Sequence, residues 1–529
     1  MLSCKINVNL NELVRRTEAA LRMELSTLLH DLHLSSSSSS EEQSPSSPPP
    51  ITELLSQLRE KLIGSCPKSH SLIAQIKQLF QYAGSDWLFS PATQDSRWAE
   101  LEAAYVSLIS ALIGCAALPL CEDDCSPLTV AAYQSIPTQA MAVCAALTAL
   151  LTTLGDWRKG GEARERTTSL LLAVAPPTCV FAVTHLQDQV WTSSASRAAA
   201  RGLQEALLSA GGWRNSAHLL TGDTEGSRGI LGGVLDILQP QLTKDSWQCC
   251  EAVKLVFAWS LLQVTRPGLS PHLSRLLPPS LLFNDHHRLE NCMLGVRCLH
   301  HIVLNTPPAE LRQFNRAEVL YEALFKHLYR TEAAVIQLVL SCLLDLLVVL
   351  EKPPSASTSS RRKPCRHDDV LRLMLTHMEA ENKVVLRRVY AAALPAYIDR
   401  VGVAVCRHLW RLERVVLGYL EVRDPPEEAT RLKMLEVLQK TTRAAWPRMV
   451  CRVDALLRCL LRLMVDVSSD SELCDSLRWQ LMDESAACLR LLDAASHGHV
   501  QRLLQEVDSS CCSPEVLGCL ATAATATDR

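Results

Sequence analysis

Hydrophobic residues from Ile51 onward recur every three or four positions, in stripes of roughly 12–20 residues separated by short polar breaks. One stripe runs through Val405, Leu409, Leu412, Val416 and Leu420. Because an α-helix completes a turn about every 3.6 residues, this spacing places the stripe on one helix face. Alternating patterns typical of β-strands are absent from the sequence, so the pattern predicts helix after helix.

Pairs of adjacent prolines interrupt these stripes. They lie at 176–177, 278–279, 307–308, 353–354 and 425–426. Proline has no backbone N–H and its ring clashes with the preceding helical turn, so each pair is expected to mark a helix boundary.

The hydrophobic pattern divides the chain into segments. Residues 1–34 have helical spacing and predict an N-terminal amphipathic helix. The stretch "SSSSSSEEQSPSSPPP" at 35–50 has no apolar residue to offset its ordering entropy, which predicts a disordered linker. The rest is interpreted as a helical HEAT-like segment at 51–350, a polar basic loop at 351–369, a C-terminal HEAT-like segment at 370–508 and a tail at 509–529.

The length of the helical part favours stacked helices over one globular bundle. A single hydrophobic core stops growing at about 250–300 residues, and the helical part is longer than that. Helix pairs of about 40–47 residues that stack on one another bury a continuous core at any length. The predicted fold is therefore all-α, an α-solenoid of HEAT-like helix pairs.

Composition and charge change this picture little. The 529 residues carry a formal net charge of −3, which argues against general electrostatic binding of nucleic acid. The 21 cysteines are scattered mostly through apolar runs, so reduced thiols in an intracellular protein are expected.

No signal peptide is visible at the N-terminus. The apolar run Val335–Leu350 is shorter than the roughly 20 residues that span a bilayer and contains Gln337 and Asp345, so a buried helix is expected.

One stretch, "LENCMLGVRCLHHIVLN" at 289–305, raises the question of a metal site. Cys298 and His301 would share a helix face, and Cys292 lies nearly two turns earlier. Zinc needs four ligands, or three and a water, in tetrahedral geometry, and no CxxC or HExxH spacing supplies the others. Helical spacing also makes Cys298 part of a plain hydrophobic stripe, so the interpretation is a repeat core without metal.

Other candidate motifs are equally incomplete. Cys115, Cys121 and Cys125 enclose three acidic residues, which would raise thiol pKa values rather than activate them. The glycine-rich stretch at 221–233 lacks the Lys-Ser/Thr pair of a phosphate-binding loop. No nucleophile elbow or kinase motif set is present. The sequence predicts no enzyme, no cofactor and no metal.

The C-terminal half carries a positive charge. Residues 361–462 contain 21 Lys or Arg against 12 Asp or Glu. The candidate partner-binding residues are Arg387, Arg388, Arg407, Arg411 and Arg414. The last three step by four and three residues and are expected to share one helix face. Such a stripe is able to dock an acidic partner, to bind RNA, or to lie solvated beside Glu413 and Glu421.

Some segments are also familiar in themselves. They are "VFAVTHLQDQVWT" at 180–192, "WSLLQVTRPGLSPHL" at 259–273, "LGVRCLHHIVLNTP" at 294–307, "LRLMLTHME" at 371–379 and "RHLWRLERVVLGYLEV" at 407–422. Appearing in this order, they closely resemble the family of telomere-maintenance-protein-two-interacting protein two, a subunit of the Triple-T complex. The resemblance covers about residues 175–465.

This resemblance implies a HEAT-repeat protein without enzymatic activity. Its expected partners are two other α-solenoid subunits, with phosphatidylinositol-3-kinase-related kinases as clients and the ninety-kilodalton heat-shock chaperone system acting indirectly. The expected role is support of kinase maturation, stability and assembly, in the cytoplasm and nucleus, without nucleic acid or membrane. The alternatives are a HEAT-type adaptor that binds nucleic acid or transport cargo through the basic C-terminal face, and a metal-dependent enzyme that uses the Cys/His clusters.

Overall fold

A computed structural model describes residues 50–64, 69–89, 95–121, 128–159, 164–222, 229–351, 364–506 and 513–525. Within these ranges the chain forms helices and no β-strand. The described chain divides into two compact units, Met1–Pro279 and Ser280–Arg529. The predicted N-terminal helix at 1–34 and all of the predicted linker except Pro50 lie outside the described residues.

The first unit contains the helices up to the division. They are α1 Ile51–Gly64, α2 Ser69–Tyr82, α3 Ser85–Phe89, α4 Asp95–Gly114, α5 Ile136–Lys159, α6 Arg164–Thr184, α7 Ser194–Gly211, α8 Ser216–Thr221, α9 Leu231–Leu238, α10 Glu251–Gln263 and α11 Leu273–Asn284, whose last residues belong to the second unit. Helices α1, α4 and α6 pack in one row and α2, α5 and α7 in another, with α6 against α7.

The second unit repeats this arrangement. Its helices are α12 Leu289–Asn305, α13 Pro308–Arg312, α14 Arg316–Phe325, α15 Ala333–Leu350, α16 Arg366–Ala380, α17 Val384–Val401, α18 Leu409–Leu420, α19 Ala429–Met449, α20 Val453–Ser469, α21 Asp475–Ala495, α22 His499–Gln505 and α23 Pro514–Thr525. Helices α16, α18 and α20 form one layer, and α12, α15, α17, α19 and α21 the other. Each helix of the first layer packs on the next helix along the chain.

Burial follows the hydrophobic spacing. On α18, Leu409, Leu412, Val416 and Leu420 are all buried, as the stripe predicted. Val405 is also buried, but it lies in a short 3-10 segment, Gly402–Arg407, that precedes the helix. The predicted all-α fold of HEAT-like helix pairs is confirmed within each unit, because successive pairs bury their apolar faces against their neighbours.

The proline rule was wrong at two of the pairs. Pro176–Pro177 lies inside α6 and Pro278–Pro279 inside α11. A proline costs a helix one hydrogen bond and some strain, but burial of apolar neighbours on several sides outweighs that cost. On α6, Val174, Ala175 and Cys179 are buried, and Gly233 of α9 leaves room for the Pro176 ring.

The other proline pairs behave differently. Pro308 is the first residue of α13, and 425–426 separates α18 from α19, so these two boundaries are confirmed. The pair at 353–354 lies outside the described residues. Helix α16 begins at Arg366, inside the stretch at 351–369 that was predicted to be a loop. Helix α23 lies within the predicted tail.

Within the described residues, four helical segments are long and apolar enough to cross a membrane by length and composition alone. They are Val130–Lys159, Glu165–Leu186, Ala333–Leu350 and Val384–Arg407, and between 44% and 61% of each apolar window is buried inside the protein. The third is α15, which packs against α12, α14 and α17. Its residues Val335, Val339, Leu343 and Leu346 are fully buried.

Candidate partner-binding surface

The first two predicted arginines lie near the start of α17 and bond within the second unit. The guanidinium of Arg387 lies 3.8 Å from the ring centroid of Tyr419 and donates to the carbonyls of Glu381 and Gly418, at 3.5 and 3.4 Å. A cation over an aromatic ring and two carbonyl bonds fix this side chain. Arg387 therefore ties the start of α17 to the end of α18.

Arg388 reaches the loop between α18 and α19. Its Nε donates to both carboxylate oxygens of Asp424, at 2.8 and 3.0 Å. The buried Asp424 also accepts from the amide and the hydroxyl of Thr430, at 3.1 and 2.6 Å. Burial alone raises the pKa of Asp424, but the bonds from Arg388 and Thr430 outweigh burial and lower that pKa below its usual range.

Arg407 and Arg411 both reach α16. Arg407 lies 3.4 Å from the carboxylate of Asp368, and Arg411 donates to the hydroxyl of Thr376. Asp368 also accepts from the backbone amide of Cys365, at 2.9 Å, and contacts the His408 ring at 3.0 Å. Burial raises the pKa of Asp368, but the hydrogen bonds from His408 and Cys365 prevail, so its pKa lies well below the usual range.

Arg414 differs from the other four. It is exposed on α18 and makes neither a hydrogen bond nor an ion pair with any residue that the structure describes. Arg411 and Arg414 lie on α18, whereas Arg407 lies in the preceding 3-10 segment, so the three arginines that were predicted to share one helix face are not all on that helix. The two acidic residues that one of the alternatives placed beside these arginines pair with other arginines. Glu413 pairs with Arg452, and Glu421 lies 3.7 Å from Arg462.

A groove of about 560 Å³ adjoins Arg411 and is lined by residues of α14, of the 3-10 turn that follows it, and of α16 and α18. Its lining includes Tyr321, Phe325 and Tyr329, together with Arg372 and Arg411. The three aromatic residues step by four along the chain, and neighbouring rings lie 5.3 and 6.3 Å apart. Sequence analysis missed this groove, although the spacing of four was visible in the sequence.

The cysteine and histidine stretch forms part of the core. Cys298 is fully buried, and burial raises the pKa of its thiol to about 12. His300 bonds Asp345 of α15 at 2.8 Å, while His301 contacts the side chain of Asn305. Among the residues that the structure describes, no three His, Cys, Asp or Glu side chains are grouped to hold a metal ion. Cys125 and its acidic neighbours lie outside those residues, as do residues 223–228 of the glycine-rich stretch.

Comparison with curated proteins gives close relatives. TELO2-interacting protein 2 of Homo sapiens is 48% identical over 339 residues, which cover 64% of this chain and 67% of that protein. The protein of the same name in Mus musculus is 47% identical over 345 residues, 65% of this chain and 67% of that protein. In Rattus norvegicus it is 46% identical over 345 residues, 65% of this chain and 68% of that protein. No family model matches the chain.

Comparison with solved structures gives distant neighbours. The Kap95p complex with RanGDP matches with a TM-score of 0.44 and 13% identity, over 90% of this chain and 66% of that chain. Kap121p bound to the C-terminus of Cdc14p matches with a TM-score of 0.40 and 13% identity, over 96% of this chain and 49% of that chain.

Proposed function

The chain belongs to the TELO2-interacting protein 2 family, and from that premise we propose that it is a non-enzymatic scaffold subunit of a Triple-T-type complex. The complex would support the maturation, stability and assembly of phosphatidylinositol-3-kinase-related kinases. Its partners would be the two other subunits, both α-solenoids, with the kinases as clients and the ninety-kilodalton heat-shock chaperone system acting indirectly. The complex would work in the cytoplasm and the nucleus.

The observation that carries this proposal is the relationship to the human protein, which is 48% identical over 339 residues and is named for interaction with TELO2. Such identity over most of the chain supports the same kind of partner. The fold supports it as well, because stacked helix pairs offer long surfaces to other helical proteins.

The basic segment favours a protein partner over nucleic acid. Four of the five predicted arginines bond to protein groups within the second unit: Arg387, Arg388, Arg407 and Arg411. Two of the four, Arg388 and Arg407, pair with the carboxylates of Asp424 and Asp368, which reduces the positive charge that is available to phosphates and on which non-specific nucleic-acid affinity depends. The five predicted arginines therefore give less support to a nucleic-acid adaptor than their number suggests.

The test is affinity purification of the tagged full chain from cells, with quantitative mass spectrometry of the proteins that co-purify. We expect the two other subunits in near-equal amounts and the related kinases below them. Depletion of the chain is expected to lower kinase protein levels without changing their messenger RNA. An unrelated tagged α-solenoid is the control for non-specific capture.

Three results would contradict parts of this proposal. Purification without TELO2 and the third subunit would refute membership of the complex. Kinase levels that stay constant after depletion would refute the role in maturation. Recovery of nucleic acid with a steep dependence on salt would instead favour the adaptor alternative.

A further inference from the structure

At one end of the second unit, four large apolar side chains are exposed to solvent rather than buried in the core. This tryptophan surface comprises Val403, Trp410, Trp446 and Val450, which are 67%, 63%, 53% and 46% exposed. Single exposed apolar residues are common on proteins, but four exposed apolar residues that include two tryptophans are typical of an interaction site.

The topology places these four residues at the same end of the stacked helices. Arg388 near the start of α17 bonds Asp424 before α19, and Asp399 near the end of α17 pairs with Lys440 of α19 at 2.5 Å. Helices α17 and α19 therefore run in the same direction and end on the same side. Helices α18 and α20 begin on that side, because only short 3-10 segments, Gly402–Arg407 and Val450–Arg452, separate them from α17 and α19.

Arg452 connects two parts of this surface directly. Its guanidinium lies 5.5 Å from the ring centroid of Trp410 and pairs with Glu413 on the next turn of α18. A cation beside the indole and an ion pair behind it hold the ring in place. Trp410 is thus pre-ordered in the free protein, which lowers the entropy cost of binding through it.

The exposed charge around the tryptophan surface is mainly positive. Arg400, Arg414 and Arg448 are exposed and make no ion pair with any described residue. Of the described acidic side chains near these helix ends, Asp399 and Glu413 pair with the cations Lys440 and Arg452, and Asp454 lies 3.4 Å from the ring of His499.

We propose that the tryptophan surface binds an acidic amphipathic helix of a partner subunit, an inference that rests on the proposed function of the chain as a complex subunit. Apolar residues of that helix, spaced by three and four, would cover Trp410 and Trp446. Its Asp and Glu residues would face Arg400, Arg414 and Arg448. Charge complementarity would set the orientation and the association rate, and the indoles would supply most of the affinity.

The first test is quantitative binding of the purified full chain to the two other subunits, co-expressed as a pair. The double variant Trp410→Ser, Trp446→Ser is expected to bind at least about tenfold more weakly, as for interface tryptophans generally. The triple variant Arg400→Glu, Arg414→Glu, Arg448→Glu is expected to associate more slowly, with a reduced dependence on salt. Because all five side chains are exposed, the unfolding midpoint is expected to stay unchanged.

Matched controls come from the same unit. Trp479 is 65% exposed near the start of α21, and Arg297 is exposed on α12. Trp479→Ser and Arg297→Glu are expected to bind as the parent does. Equal binding by the double tryptophan variant and by Trp479→Ser would overturn the proposal.

The second test identifies the occupant. A benzophenone amino acid at position 403, used in the co-expressed complex, is expected to crosslink to a partner peptide that is net negative and has helical apolar spacing. Crosslinks to a basic peptide, to RNA or to a second copy of this chain would overturn the proposal, as would none at all. If the parent chain fails to bind the subunits, the proposed function fails; if the parent binds and the variants bind equally, only the tryptophan surface fails.

Discussion

Arg388 and Asp424 lie 36 residues apart in the sequence and form a bidentate ion pair in the structure. The Nη2 atom of Arg388 approaches Oδ1 of Asp424 to 2.7 Å, and the same guanidinium donates to the carbonyls of Asp424 and Pro425, at 3.4 and 3.2 Å. The pair joins α17 to the loop before α19. Asp424 in turn donates its amide to Glu428 at 3.1 Å and accepts from Thr430, so one buried carboxylate organises the start of α19.

Reversing the charge at this pair is expected to destabilise the protein. Arg388→Glu places a second carboxylate against the buried Asp424, and breaking such a pair costs about 3–5 kcal/mol. Arg388→Lys keeps the charge but loses the planar guanidinium, so a smaller loss is expected. Urea unfolding followed by circular dichroism measures both. Arg414→Glu is the matched control and should change stability by less than about 0.5 kcal/mol.

This comparison also separates two roles of the predicted arginines. If Arg388→Glu unfolds at the same urea concentration as the parent, the buried ion pair is not formed. If it unfolds earlier while Arg414→Glu does not, the loss of partner binding in Arg388→Glu follows from unfolding. Only Arg414 then reports directly on the partner surface.

The helices were predictable because the hydrophobic spacing that identifies a helix lies within the helix itself. Hydrophobic spacing alone identified the buried face of α18, since side chains three or four residues apart share a helix face. The ion pair between Arg388 and Asp424 gave no such signal, because the partner is brought close only by the packing of α17 and α19. The prolines inside α6 and α11 were missed for the same reason, as tertiary packing overrides a local preference.

The tryptophan surface had a sequence signal that was not used. Trp410 lies off the hydrophobic stripe of α18, among Arg407, Arg411 and Arg414. A tryptophan on the polar side of an amphipathic helix is unusual, because burial of its large apolar surface is favourable. The position of Trp410 next to Arg452, however, depends on how α18 packs near the start of α20, so it could be seen only in the structure.

The cysteine and histidine helix provides a test of core placement. Leu299 on α12 is fully buried, whereas Leu304 on the same helix is half-exposed. Leu299→Asp is expected to lower stability by about 4 kcal/mol or more, because it buries an unpaired charge. Leu299→Ala is expected to cost about 2–5 kcal/mol through the cavity that it leaves.

Leu304→Asp is the matched control for Leu299→Asp and should change stability little. The measurement is the midpoint of urea unfolding of the full chain, followed by tryptophan fluorescence. A midpoint for Leu299→Asp equal to that of the parent would show that α12 does not bury this face.

The buried side chain of His185 is expected to make the stability of the protein depend on pH. It follows α6, is fully buried, and its ring centroid lies 4.8 Å from that of Phe181. Neither ring nitrogen has a hydrogen-bond partner among the described residues. Burial lowers the pKa of His185 from 6.5 to about 4, because a charged imidazolium is poorly solvated there.

The sign of this dependence follows from proton binding. Between pH 6.5 and 4 the unfolded chain binds a proton at His185 that the folded chain does not bind, so stability falls as the pH falls. One such group contributes a slope of up to about 1.4 kcal/mol per pH unit. His185→Leu is expected to remove that slope, while His327, whose pKa burial also lowers to about 4, keeps its own.

The measurement is the urea midpoint of the parent and of His185→Leu at several pH values from 7 to 5. His70→Leu, at an exposed position on α2, is the matched control and should keep the slope of the parent. Parallel curves for the parent and His185→Leu would show that His185 is solvated in the folded protein.

Thiol labelling tests the assignment of the cysteines to the core. Cys179 and Cys298 are buried, and burial raises the pKa of each thiol to about 12, so the reactive thiolate is scarce near neutral pH. Cys451 and Cys474 are exposed. Peptide-resolved mass spectrometry after iodoacetamide treatment of the native protein is expected to find Cys451 and Cys474 modified, and Cys179 and Cys298 modified only in urea. Equal labelling in the native protein would contradict the burial of α6 and α12, since each of these helices carries one of the two protected thiols.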